Sequence, residues 1–152
     1  RRPVVTGPQP DQNYAPPPSY ASVVNNTKAT APRDTVSFTI NGTPRTVDAS
    51  TATTLTLAFY LREHERLTGT KLSCREGGCG ACVVLISRPG DAERRPVNAC
   101  LRLLAQCDGC AVTTVEGLGT AATPSPVQAA IAAYDATQCG FCTSGAVTTV
   151  EG

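Results

Sequence analysis

The stretch Cys74-Arg75-Glu76-Gly77-Gly78-Cys79-Gly80-Ala81-Cys82, followed by Cys100 18 residues later, sets three thiols in a C-x4-C-x2-C loop and a fourth at a distance. This is the plant-type 2Fe-2S spacing, in which a short loop wraps three corners of a rhombic cluster and one remote cysteine closes the last. Gly77, Gly78 and Gly80 suit the wrapping, because glycine accepts positive φ and lets backbone N–H groups approach sulfur closely. Arg75 and Glu76 read as solvated loop charges.

The flanking sequence is ordered like a small α+β domain. Upstream, Val36-Ser37-Phe38-Thr39-Ile40 alternates apolar and polar residues, and Asn41-Gly42 supplies the two positive-φ positions of a tight hairpin turn into a returning strand through Arg45 to Val47. Leu55, Ala58, Leu61 and Arg62 fall at helical spacing, so a helix is expected from Thr54 to about Glu65, with Thr51, Thr53 or Thr54 as N-cap. Strand, turn, strand and helix in this order open a β-grasp. Downstream, Val83 to Ile86 is continuously apolar and implies a strand covered on both faces, turned by Pro89-Gly90. Asn98 to Gln106 reads as a short helix, and Ala111 to Val115 as the last strand. Ser125-Pro126-Val127-Gln128 carries a cap residue, a first-turn proline and a Gln three residues after the cap, which starts a helix from Pro126 to about Ala136.

Residues 1–33 contain seven of the chain's 12 prolines among small polar residues and read as a disordered, polyproline-tinged leader. The expected organisation is a leader over 1–33, a 2Fe-2S ferredoxin-type β-grasp domain over 34–119, and the start of a helical 2Fe-2S-binding domain over 120–152. With 152 residues, 13 basic against 12 acidic side chains and no apolar run of membrane-spanning length, the chain has little to offer nucleic acid or a bilayer as partners. Met is absent even at position 1, so the start of the protein is expected to lie elsewhere. Free thiols and the lack of a secretory signal favour a cytoplasmic location. The segment Ala146 to Gly152 repeats Ala111 to Gly117 letter for letter, which reads as a duplication or an assembly fault.

Eight cysteines leave other readings open. A disulfide framework would be crowded in so glycine-rich a loop. Zinc at the first site lacks paired knuckles or histidines, since the one histidine, His64, sits among charges on the expected helix and reads as solvent-exposed. Cys107-Asp108-Gly109-Cys110 and Cys139-Gly140-Phe141-Cys142 together make a two-knuckle set that would suit a zinc-stabilised structural or interaction domain, although buried or free thiols are the competing reading for the first pair. A ferredoxin-like carrier acting alone is a third reading.

Several motifs in order carry a family resemblance. Thr68-Gly69-Thr70-Lys71 before Cys74, Glu76 to Cys82, Val97-Asn98-Ala99-Cys100-Leu101, Thr113-Thr114-Val115-Glu116-Gly117 and Gln138 to Cys142 resemble the iron-sulfur region of the xanthine dehydrogenase and aldehyde oxidase family over about Thr35 to Gly145. The resemblance implies two 2Fe-2S clusters and an electron-transfer module of a molybdenum hydroxylase, an oxidoreductase whose molybdopterin and FAD sit on other domains or subunits. It makes Cys74, Cys79, Cys82 and Cys100 the ligands of the first cluster and Cys139 and Cys142 the first two ligands of the second. It sets Gln138 against the pterin, where a helix-terminal capping residue is the alternative. The family's second cluster also needs a later C-x-C pair, which does not occur before Gly152, so Cys139 and Cys142 are expected to be orphaned ligands. Val147 to Val150 is expected to be a poor helix. No acid, base or nucleophile is required of this chain.

Overall fold

A computed structural model describes residues 33–152, which form one unit; all but the last residue of the expected leader lies outside the described residues. Strands β1 (Thr35–Ile40) and β2 (Thr43–Asp48) form the expected hairpin, turning at Asn41 (φ 48°) and Gly42 (φ 81°). On β1 the alternation is realised directly, with Val36, Phe38 and Ile40 buried. Three more strands follow: β3 (Val83–Ser87), β4 (Arg95–Asn98) and β5 (Ala111–Thr113). They complete a mixed five-stranded sheet of order β2-β1-β5-β3-β4, in which only β1 and β5 run parallel. As its sequence implied, β3 lies inside the sheet with Val84, Leu85 and Ile86 all buried.

The helix expected from Thr54 to about Glu65 begins only at Leu57, and a separate short helix precedes it. Helix α1 (Ala49–Thr54) ends at Leu55, which is extended, and α2 (Leu57–Glu63) restarts behind Thr56, whose hydroxyl accepts from Phe59 N. The break has a tertiary cause: Leu57 N donates to Arg102 O and Leu104 N to Leu55 O, at 2.7 and 2.9 Å. Backbone groups that a helix would have paired locally are spent on the 102–104 segment. Thr53 and Thr54 close α1 by donating back to the carbonyls of Ser50 and Thr51.

The helix expected over Asn98–Gln106 is likewise corrected. Asn98 ends β4, Cys100 lies in the turn after it, and only Leu104–Cys107 forms one turn of 3₁₀ helix. Pro96 is accommodated in β4 because β4 is at the edge of the sheet, where a missing N–H costs little. Leu57, Leu61, Leu104, Val84 and Val112 are fully buried between this face of the sheet and the helices, with Phe38 and Tyr60 edge-on at 5.9 Å.

Helix α3 (Val115–Leu118) is a single turn after β5. Helix α4 (Pro126–Ala133) starts as expected: Ser125 Oγ accepts from Gln128 N and Gln128 Oε1 accepts from Ser125 N. Helix α5 (Thr143–Val150) overturns the expectation for Val147–Val150. Thr148 and Thr149 satisfy their hydroxyls on the carbonyls of Ser144 and Gly145, and Gly145, Val147 and Thr148 are buried. Packing overrides the weak helix preference of the β-branched residues.

Glu65, just past α2, holds Arg45 on β2 in a two-pronged ion pair of 2.6 and 2.7 Å. The guanidinium holds the Glu65 carboxyl below the usual carboxylate range, burial opposing. A lowered native value means the contribution is present above the unfolded value of about 4.3 and is lost as pH falls through the folded one. Glu65→Gln is therefore expected to flatten the decline of Tm below about pH 4 relative to the parent, as read by thermal melts across pH 2.5–6.

Candidate metal centre

Residues 64–82 carry no strand and no helix, and the chain here is shaped by a few fixed points. Lys71 N donates to Ala81 O and closes the base of the Cys74 loop. Within it Arg75, Gly77 and Gly80 have φ of 60°, 81° and 71°. Gly77 is demanded twice, by its positive φ and because a Cβ there would come 2.6 Å from Leu101 Cδ1. Asn98 at the end of β4 donates through Nδ2 to Gly77 O (3.2 Å), so the strand that leads into the fourth cysteine also steadies the loop carrying the first three.

The four thiols stand in two pairs. Cys74 Sγ and Cys79 Sγ are 3.3 Å apart, longer than a disulfide at ~2.05 Å and close to the ~3.7 Å of two thiolates sharing one tetrahedral metal. Cys82 and Cys100 form the second pair, both buried and close enough to influence each other. The pairs differ electrostatically. Backbone N–H of Glu76, then the thiol and N–H of Cys79 and the N–H of Gly78, bring the Cys74 thiol down to about 7. Burial pushes the Cys82 thiol up to about 11. Anionic sulfur is thus favoured at the loop's outer side by the N–H groups that the glycines release, and disfavoured at the inner side until a cation compensates it.

Two thiol pairs against one loop are the donor set a two-iron cluster needs, and the residues present fit it. Among the described residues no three or more Cys, His, Asp or Glu side chains are arranged to hold a single metal ion. The two-knuckle zinc set is not brought together: Cys107 and Cys110 are packed in the core, 0% and 2% exposed, while Cys139 and Cys142 are exposed. Burial also raises the Cys107 thiol. His64 is exposed, as expected, its ring stacked 5.1 Å from that of Tyr60.

Cys139 and Cys142 flank Gly140 (φ 79°) between α4 and α5, and Cys142 is the residue that opens α5. Gln138 is exposed beside them, five residues beyond α4 and ahead of α5, and neither helix uses it as a cap. Two thiols make half a donor set. The two cysteine groups are neighbours, however, since Cys79, Gly80, Cys142, Gly145 and Ala146 line one cleft. Gly145 permits this approach, because a Cβ there would run into Gly80 O and come 3.1 Å from Ala81 Cα.

Two known families match successive parts of the chain. Residues 38–105 match the family described as 2Fe-2S iron-sulfur cluster binding domain, and residues 114–152 match the [2Fe-2S] binding domain. Over 115 residues, 72% of its length, the chain is 48% identical to the xanthine dehydrogenase of Drosophila subobscura, and equally to aldehyde oxidase 1 of Oryctolagus cuniculus. The chain belongs to the iron-sulfur region of the xanthine dehydrogenase and aldehyde oxidase family. It spans about 8% of the length of those two relatives. Quinoline 2-oxidoreductase from Pseudomonas putida 86 superposes with a TM-score of 0.64 at 41% identity, over 76% of this chain and 66% of that one. Sequence alone does not reveal Asn98 as a loop support, or Arg62, Thr114 and Glu116 as loop anchors. Asn98 and Glu116 lie inside the quoted motifs, but their partners are 21 and 47 residues away, beyond the reach of any local signal.

Proposed function

We propose that this chain is the electron-transfer module of a molybdopterin-dependent hydroxylase of xanthine dehydrogenase or aldehyde oxidase type, passing electrons from the molybdenum centre towards FAD or another acceptor. The observation that carries the reading is the pair of thiol pairs, Cys74 with Cys79 and Cys82 with Cys100, beneath one N–H-rich loop. A 2Fe-2S cluster held there supplies one-electron chemistry. The chain's own part is to present four sulfurs, to donate the Glu76, Gly78 and Cys79 N–H groups towards the outer pair, and to bury the inner pair from water. Cys139 and Cys142 are assigned as half of a second ligand set, and Gln138 as a pterin contact.

The strand order with β1 parallel to β5, and the opening strand-turn-strand-helix, support assigning 34–119 to the plant-type β-grasp class and 120–152 to a helical cluster-binding segment. FAD-binding and molybdopterin-binding domains or subunits are the partners this assignment requires. Among the described residues no helix is long and apolar enough to cross a membrane, and a cytoplasmic setting, which keeps thiols reduced, is the fitting one. The test is redox cycling of the anaerobically reconstituted chain. Dithionite is expected to bleach the visible bands with uptake of one electron per chain, and an added acceptor to restore them. A colourless chain inert to dithionite would exclude the proposal.

A further inference from the structure

Two of the motifs, Thr68-Gly69-Thr70 and Thr113-Thr114-Val115-Glu116-Gly117, contribute no thiol, yet they meet in space just ahead of the Cys74 loop. Gly69 N donates to Glu116 Oε1 at 2.7 Å, although 47 residues separate them. On either side of that peptide, Arg62 Nη1 donates to Thr68 O and Thr70 O, both at 3.0 Å. An anion from α3 therefore takes the N–H of residue 69 while a cation from α2 takes the carbonyls of 68 and 70. Three consecutive residues are held from two directions by charge-assisted hydrogen bonds.

Glu116 is itself braced. Thr114 Oγ1 donates to Glu116 Oε2 at 2.6 Å and accepts from Asn41 Nδ2 at 3.0 Å, while Thr114 N donates to Asn41 Oδ1 at 2.9 Å. Thr114 is fully buried. The clamp leaves no room for side chains at its contacts: a Cβ at Gly69 would lie 2.6 Å from Glu116 Oε1, and one at Gly117 would collide with Asn41 Oδ1. Gln128 Nε2 donates to Val115 O at 3.2 Å, which ties α4 to the same turn. Two residues beyond Gly69, Lys71 N closes the base of the Cys74 loop, and Arg62 lines the same cleft as Arg75 and Cys100.

We propose that Glu116 and Arg62 are positioning residues for the Cys74 loop, a two-sided clamp on Thr68–Thr70 through which the 114–152 segment sets the placement of Cys74 and Cys79. This rests on the reading of those thiols as cluster ligands. Glu116→Ala removes the acceptor of both bonds; Glu116→Gln keeps an oxygen for Gly69 N but offers Thr114 no second acceptor.

The test uses the full chain in two arms. In the metal-free protein, hydrogen exchange at the Gly69 amide is expected to quicken about tenfold in Glu116→Ala and to stay within about threefold of the parent in Glu116→Gln. In the reconstituted protein, cluster loss to a chelator is expected to quicken about tenfold in Glu116→Ala, with a shifted midpoint potential and altered EPR g-values, all largely rescued by Glu116→Gln. Unchanged Gly69 exchange would overturn the clamp. A lowered Tm with cluster lifetime, potential and g-values all at parental values would reduce Glu116 to a fold-stabilising residue and also overturn the proposal. A parent chain that forms no cluster would defeat the functional reading and with it the loop-positioning role, while the Gly69 exchange arm still judges the clamp.

Discussion

Cys100→Ser is expected to leave the chain folded and unable to hold a cluster. Cys100 is 7% exposed in the turn after β4, against Cys82 and under the Cys74 loop, and serine nearly matches its volume, so the sheet and core have little reason to change. What changes is the donor: a hydroxyl does not ionise at neutral pH, and three thiolates leave one iron short of a ligand. Iron and acid-labile sulfide after reconstitution are expected to fall to near zero, with far-UV circular dichroism unaltered. Cys107→Ser is the matched control. Cys107 is just as buried, but its thiol faces Leu103 O and Cys110 rather than the other three cysteines of the set, so its substitution should cost stability and leave iron content at the parental level. Equal iron loss in both variants would break the assignment of Cys100.

The second large effect is expected at Gly145. A valine there would drive its side chain into the Gly80 carbonyl and the Ala81 backbone, and neither can move aside, since Gly80 is held at φ 71° and Ala81 O receives the bond that closes the loop. Helix α5 must lift instead. Overpacking of this kind costs about 1–3 kcal/mol, a Tm fall of roughly 4–12 °C for a unit of this size. The displacement also carries Cys142 away from Cys79 across their shared cleft. Gly78→Ala in the metal-free chain provides the contrast, because nothing lies within 4 Å of a Cβ at that position, and its Tm is expected to match the parent.

The contrast between the two Ala-Val-Thr-Thr-Val-Glu-Gly copies explains what was legible in the sequence and what was not. At 111–117 the segment is strand β5 followed by a single turn, because Ala111–Thr113 pairs between β1 and β3 and the next residues bond Asn41 and Gly69. At 146–152 the same letters end a helix whose glycine packs on the loop. No local propensity distinguishes them; their partners do. Signals that act within a few residues were readable: the Asn41-Gly42 turn, the Ser125 to Gln128 capping box, the alternation along β1 and the cysteine spacing. Features made by distant partners were hidden, such as the break at Leu55 forced by the 102–104 backbone, or the edge position that lets Pro96 sit in β4. The candidate metal centre can be proposed from residue identity alone, whereas the contacts of Asn98, Arg62 and Glu116 with its loop are made by the fold.

The most direct measurement of the central claim, that Cys74, Cys79, Cys82 and Cys100 hold a two-iron cluster, is iron, acid-labile sulfide and zinc per chain, read together with the EPR spectrum of the dithionite-reduced protein. Two irons, two sulfides, no zinc and one rhombic signal are expected. Zinc without sulfide, in a protein silent to dithionite, would contradict the account.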